Sequence, residues 1–234
     1  MSLIFGMHIM EGFLPVKWAV IWSVAALPFI ILSCRQIAEV VRDEPKLLAL
    51  LAFAGAFVFV LSSLKLPSVT GSCSHPTGVG LGAILFGPGA MVILGMIVLL
   101  FQALLLAHGG ITTLGANTFS MAIVGPFIAY GVYRLMSKIG APQSLAVFSG
   151  AALGSLITYL VTAAQLALAH PAEVGGFYAS LVKFTAIFGV TQIPISIAEG
   201  LLTVMVMNVL MAYSQDEIES LSLLRNGGSI HVNN

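Results

Sequence analysis

Long apolar runs separated by short polar links fill the chain from Val16 to Ala212. A helix needs about 20 apolar residues to cross a bilayer, and none of the runs shows the ten-residue alternation of a membrane β-barrel. The first predicted span covers about Val16 to Leu32; Trp18 and Trp22 stand near its start, where aromatic rings favour the interface, and Pro28 is a candidate kink. A polar link from Cys34 to Lys46 carries Arg35, Arg42 and Lys46, and a second span follows over about Leu47 to Leu64. Ala49, Ala52, Ala54, Gly55 and Ala56 give this span a face that another helix can approach closely.

The next stretch, Pro67-Ser68-Val69-Thr70-Gly71-Ser72-Cys73-Ser74-His75-Pro76-Thr77-Gly78, is a run of small polar residues between long apolar segments. Unsatisfied polar groups in hydrocarbon cost several kcal/mol each, so protein must surround such a loop. Beyond it the chain stays apolar from Val79 to Ala107, interrupted by Gly87-Pro88-Gly89. Proline lacks the amide donor and glycine is a poor helix former, which predicts a break there. Charge gives an independent test. Basic residues cluster at 35 to 46 and again at Arg134 and Lys138, and the positive-inside rule puts both clusters in the cytoplasm only if the chain turns at Gly87 to Gly89. The third span is then about Thr77 to Phe86, too short to cross at 1.5 Å per residue, so the polar loop before it dips inward. Span four runs over about Gly89 to Ala107, span five over Ala116 to Met136, span six over Ser144 to Ala169, and the last over Phe177 to Ala212 with Pro194 and Glu199 on it. The expected fold is an all-α polytopic membrane protein: a seven-helix bundle with its amino terminus outside, its carboxyl terminus in the cytoplasm, and a short third helix after a re-entrant polar loop.

Composition agrees: 59% of the 234 residues are hydrophobic and 8% charged, against roughly a quarter charged in soluble domains. Nine basic and nine acidic side chains balance, which speaks against nucleic acid and against a polybasic lipid-binding patch. Cys34 and Cys73 cannot build a disulfide framework. No Gly-x-x-x-x-Gly-Lys-Ser/Thr motif occurs, so any ATP dependence belongs to another chain, and no His-Glu-x-x-His motif occurs either.

The topology puts His8, His75, His108 and His170 on or near the outer side. His75 lies in the inward-dipping loop, fixed by Pro76, and His8 lies in a short amino-terminal segment, Met7-His8-Ile9-Met10-Glu11-Gly12-Phe13-Leu14-Pro15, that can fold back to the same cavity. Imidazole suits divalent nickel, cobalt, copper or zinc; the alternative role is helix capping or loop hydrogen bonding. If Met7 is the mature first residue, its amine, the His8 amide nitrogen and the His8 imidazole form fused chelate rings, and His75 adds a fourth nitrogen. That set suits a late first-row ion, whereas magnesium and calcium want oxygen. Thr70, Ser72, Ser74 and Asn117 are candidates to orient an imidazole through its other nitrogen, the alternative being loop and helix-end hydrogen bonds. Cys73 reads as a small packed residue rather than a ligand. Glu199 has two readings, a buried functional carboxylate or a contact in the cytoplasmic half, and stays unassigned.

The Met7 to Pro15 motif, together with Ser68 to Gly78, His108-Gly109-Gly110 and Gly115-Ala116-Asn117, resembles the substrate-binding membrane component of cobalt transporters of the energy-coupling-factor type. The resemblance extends over nearly the whole chain. It implies a multi-pass subunit of the cell (inner) membrane, not itself an enzyme, that captures cobalt(II) as transported substrate through Met7, His8 and His75. It implies no permanent cofactor. The implied partners are a transmembrane coupling subunit, two ATP-hydrolysing subunits and a small auxiliary membrane protein, and the pathway implied is cobalamin synthesis. Nickel(II) relatives are similar but usually read Met-His-Ile-Pro-Asp-Gly; Met10-Glu11 favours cobalt. Residues 1 to 6 form an extension, 7 to 212 a single transmembrane metal-binding domain, and 213 to 234 a polar tail. Ala52 and Ala56 match the family's small-residue docking pattern for the coupling subunit, with packing inside the bundle as the alternative. A stand-alone permease would show internal repeats or several intramembrane charges, and a Ser72 or Ser74 protease with His75 would lack a helix-anchored nucleophile and base.

Overall fold

A computed structural model of the protein describes residues 8–43, 45–67 and 73–213. Among the described residues seven helices follow in order: α1 (Val16–Asp43), α2 (Leu47–Ser62), α3 (Val79–Phe86), α4 (Pro88–Leu106), α5 (Leu114–Lys138), α6 (Gln143–Ala169) and α7 (Gly176–Tyr213). All but α2 and α3 are long and apolar enough to cross a bilayer. The expected extension 1–6, with Met7, Thr70, Ser72 and the tail beyond Tyr213, lies outside the described residues.

Helix limits follow from local chemistry. Gly87 takes φ 86° and ψ 157°, a conformation closed to side-chain-bearing residues, and its amide closes α3 on the Ala83 carbonyl at 3.0 Å. Pro88 then opens α4 in the first turn, where a missing N–H costs nothing. The break expected from Gly87-Pro88-Gly89 therefore stands where the sequence puts it. The first span is longer than expected. The link from Cys34 to Lys46 continues as helix to Asp43, because no glycine or proline interrupts it and Ile37 and Val41 still find the core to pack on. Within α5 the turns over Thr118–Val124 are wound as a π-helix, a local widening that tends to accompany functional sites.

The shortest helix sits at the centre. Every residue of α3 is buried, and it packs on α2, α4, α5, α6 and α7. Close approach depends on its small residues: a methyl on Gly80 would lie 2.8 Å from Ala151 Cα on α6, and one on Gly82 would collide with the Met91 thioether on α4. On the outside, Val16, Val20, Val24, Leu27 and Ile31 of α1 are exposed along one side, an apolar stripe suited to lipid.

The helix ends sort charge from polar loop. Rings of α1 and α5 meet in the same order along both helices, Trp22 on Phe119 at 5.1 Å and Phe29 on Phe127 at 6.1 Å, so the two run parallel. Arg35 and Arg42 thus share one end of the bundle with Arg134 and Lys138, and the amino-terminal segment, the polar loop and the α4–α5 loop share the other.

Replacing Gly80 by alanine is expected to wedge α3 off α6 and lower stability in detergent by about 1–3 kcal/mol, the usual range for overpacking. Adding Ala151→Gly should restore only part of the loss, since the Ala151 Cα remains at 2.8 Å; thermal unfolding of the three variants measures both effects.

Candidate metal centre

Three segments distant in sequence meet at the polar end. The first is the stretch before α1. Asn117 at the start of α5 accepts from the Ile9 amide at 2.8 Å and donates to the Ile9 carbonyl at 3.1 Å, while Thr113 donates to the same carbonyl at 2.6 Å. Further along, the Glu11 amide donates to the Gly109 carbonyl at 3.2 Å and its carboxylate accepts from the Thr112 amide at 3.1 Å. The segment is zipped against the α4–α5 loop, and Gly110 makes this possible: a Cβ there would lie 2.5 Å from Glu11 Cα. His8 is thereby held inside, 2% exposed.

The second segment is the polar loop, pinched at its neck by a two-residue antiparallel ladder, Leu66 with Ser74 and Pro67 with Cys73. The Tyr159 hydroxyl of α6 accepts from the His75 amide at 3.2 Å and donates to the His75 carbonyl at 3.0 Å. Ser74 pairs with Thr191 of α7 at 2.8 Å. Glu199, also on α7, accepts from the Thr77 amide and from the Gly78 amide, both at 2.7 Å, and from the Thr77 hydroxyl at 2.6 Å. The third segment leaves α4 through Ala107, whose left-handed backbone, φ 47°, turns His108 back under the bundle. The His108 amide donates to the Gln102 carbonyl at 3.1 Å, and the Gln102 side chain donates to Ser62 of α2 at 2.6 Å.

The result is a cluster of three imidazoles. Ring centroids lie 4.8 Å apart for His8 and His75, 4.5 Å for His8 and His108, and 5.0 Å for His75 and His108. One nitrogen from each lies within 4.8 Å of the other two. His8 Nδ1, His75 Nε2 and His108 Nε2 are buried without a hydrogen-bond partner. Neighbours assign the protons on two rings: His8 Nε2 faces the Met121 thioether at 3.1 Å and His75 Nδ1 faces the Pro76 carbonyl at 2.8 Å, each contact calling for a donor N–H. The three rings border one space, and a cation bonded at about 2.0–2.1 Å to each imidazole nitrogen would draw them in from their present spacing of up to 4.8 Å.

None of the three lies on a spanning helix, and each resists protonation. Burial, then repulsion from His108, His75 and Lys65, keeps His8 well below the ordinary histidine range. Burial lowers His75 to about 4 despite the opposing Pro76 hydrogen bond. Burial, then repulsion from His75 and Lys65, lowers His108 to about 3. Neutral imidazole is the ligating form.

His8 and His75, the histidines singled out from sequence, are thus in contact, and His108 joins them. Its place in an outer loop followed by two glycines was the available signal. Asn117 and Ser74 act on backbone and on Thr191 rather than on an imidazole nitrogen, fixing the chain beside His8 and His75. Ala52 and Ala56 are exposed and line an apolar groove of about 520 Å³ between α2 and α4, with Leu94, Ile97 and Phe101 on its other wall.

A family profile described as cobalt uptake substrate-specific transmembrane region matches residues 8–217. A cobalt transport protein CbiM of Acetohalobium arabaticum is 61% identical over 228 residues, 97% of this chain and 90% of that protein. One from Moorella thermoacetica is 62% identical over 220 residues, 94% of this chain and 85% of that protein. A crystal structure of a transition metal transporter superposes with a TM-score of 0.79 at 27% identity, covering 94% of this chain and 99% of that one, and a truncated transition metal transporter gives 0.77 at 28%, covering 88% and 99%.

Asn117→Ala removes two bonds from Ile9 and is expected to cost about 1–3 kcal/mol of local stability, read as faster hydrogen exchange at the Ile9 amide. Stability should also depend on pH. Since the folded pKa values of His75 and His108, about 4 and about 3, lie below the unfolded 6.5, the unfolded chain takes up protons first on acidification. Their contribution is complete above pH 6.5 and is lost as pH falls towards 4 and 3. The stability slope over that window should shrink in His108→Gln, as measured by thermal unfolding of the metal-free protein at a series of pH values.

Proposed function

Because the chain belongs to the family of cobalt uptake substrate-specific transmembrane proteins, we propose that it is the cobalt(II)-capture subunit of an ATP-driven importer of the energy-coupling-factor type, supplying cobalamin synthesis. Membership makes it a multi-pass membrane component of metal uptake. The observation that carries the finer reading is the cluster of His8, His75 and His108, with three buried ring nitrogens that have no protein partner.

The ion is the substrate. His8 and His75 bind it, with the Met7 amine and the His8 amide nitrogen closing fused chelate rings when Met7 is the first residue. Those rings close through Nδ1 of His8, the nitrogen left unpartnered, while Nε2 is occupied by Met121. His108 faces the same point and is the further imidazole within reach. Nitrogen ligands select late first-row ions over magnesium and calcium, and burial strips the ion of water before it is handed on. Hydrolysis of ATP falls to partner subunits, docked through a coupling subunit on the apolar groove that Ala52 and Ala56 line. The end bearing Arg35, Arg42, Arg134 and Lys138 faces the cytoplasm by the positive-inside rule, which leaves the histidines and the amino terminus outside and the end of α7 inside.

Purified protein is expected to retain cobalt(II) in a one-to-one ratio and to prefer it over nickel(II) in competition. His8→Ala and His75→Ala should each weaken binding by more than the roughly 10- to 100-fold seen on losing an outer partner of a ligand. Metal analysis with intact mass checks both points. Stoichiometric retention by both variants would overturn the site, and tight binding by a mature chain beginning at Met1 would overturn the amine ligand alone.

A further inference from the structure

We propose that Glu199 is a positioning residue of the metal centre, acting on His75 through the single peptide group between Pro76 and Thr77. The inference rests on the reading of the histidine cluster as the ion's site. A peptide unit is planar and rigid. In this one the Thr77 N–H donates to Glu199 Oε2 at 2.7 Å, and the Pro76 carbonyl at its other end accepts from His75 Nδ1 at 2.8 Å. The arrangement is a carboxylate–imidazole–metal relay with a peptide interposed. Metal-binding histidines commonly direct their second ring nitrogen to a carboxylate or a carbonyl, which fixes the ring and raises its basicity. Here a carbonyl does so, and a buried carboxylate holds that carbonyl in turn.

Several features make the link directional. Glu199 Oε1 takes the Thr77 hydroxyl at 2.6 Å and the Gly78 amide at 2.7 Å, so three donors from two adjacent residues fix the carboxylate. Pro76 restricts the backbone between the peptide and the imidazole. Gly78 takes a left-handed conformation, φ 72°, wedged where a Cβ would lie 3.2 Å from Val58 Cα of α2, so the turn is confined between α2 and the Glu199 carboxylate of α7. Polarising the Thr77 N–H makes the Pro76 carbonyl a better acceptor, and that in turn makes His75 Nε2 a stronger donor to the ion. On the other flank of His75, Ser74 is tied to Thr191 on the same helix. The last helix therefore holds the ligand loop on both sides of its histidine, at positions that bracket Pro194.

The test is titration of the purified full chain with cobalt(II), followed by visible d–d absorption, for wild type and for Glu199→Gln, Thr77→Val and His75→Ala. Glutamine keeps the shape but cannot accept all three donors, since its amide nitrogen is itself a donor. The expected result is affinity about 10- to 100-fold lower in Glu199→Gln with a displaced d–d spectrum. Thr77→Val, which spares the peptide link and removes only the hydroxyl bond, should keep the wild-type spectrum. A stability role alone would lower the unfolding temperature of Glu199→Gln and leave the spectrum of its bound fraction unchanged; that outcome overturns the proposal. Should Glu199→Gln not be recovered folded, Glu199→Asp, which draws the carboxylate back by one methylene, decides in the same way: a displaced spectrum supports the link, and an unchanged spectrum with wild-type affinity refutes it. His75→Ala separates the two levels of inference. If it binds as wild type does, the histidine site itself is wrong; if it fails to bind while Glu199→Gln matches wild type, only the role of Glu199 falls.

Discussion

Three imidazoles packed ring against ring inside a protein, each with a buried nitrogen that meets no hydrogen-bond partner, are the constraint the rest of the molecule has to satisfy. A buried polar atom without a partner costs about 1–3 kcal/mol, and three of them face one space between His8, His75 and His108. Protonation does not relieve it, because one proton would bury a charge with Lys65 nearby and a second would set two imidazolium rings against each other. The strain is offset elsewhere, by the burial of whole helices against α3 and by saturating the backbone around each histidine with hydrogen bonds.

Those bonds come from a small set of polar side chains on otherwise apolar helices. Asn117 and Thr113 at the start of α5 hold Ile9 beside His8, Tyr159 of α6 closes both backbone groups of His75, and Gln102 joins the His108 turn to Ser62 of α2. Each anchor is buried, where an unsatisfied partner would be expensive and a satisfied one is correspondingly rigid. Precision at the site comes in this way from helices, although His8, His75 and His108 all sit on non-helical chain. The π-helical turns of α5 belong to the same scheme, since Met121 within them meets His8.

Much of this was legible in the residues, and the remainder was hidden for identifiable reasons. Apolar run lengths, Gly87-Pro88-Gly89 and the two basic clusters were enough for seven helices and a short third one, because each reports a rule of bilayer chemistry that tertiary packing does not override. The end of α1 was misplaced because polarity marks where a helix leaves lipid, and a helix can go on well past that point, as α1 does to Asp43. His8 and His75 stood out through their motifs, whereas His108 carried no local mark beyond two following glycines. Its place depends on an αL turn at Ala107, a residue type that does not announce one, and on the zipper at Gly109 and Gly110, which is long-range geometry. Glu199 was visible as an intramembrane acid, but its partners Thr77 and Gly78 lie more than a hundred positions away, and no spacing rule connects them.

The brevity of α3 has a mechanical outcome. Eight residues cover about 12 Å, so the outer part of that central column is irregular chain whose amides answer to side chains on neighbouring rods. A ladder of helical bonds yields as a cooperative block, but such individually tethered amides can let go one after another. The chain beside His75 is thus moored by separate tethers to two different helices, not by one continuous ladder of its own.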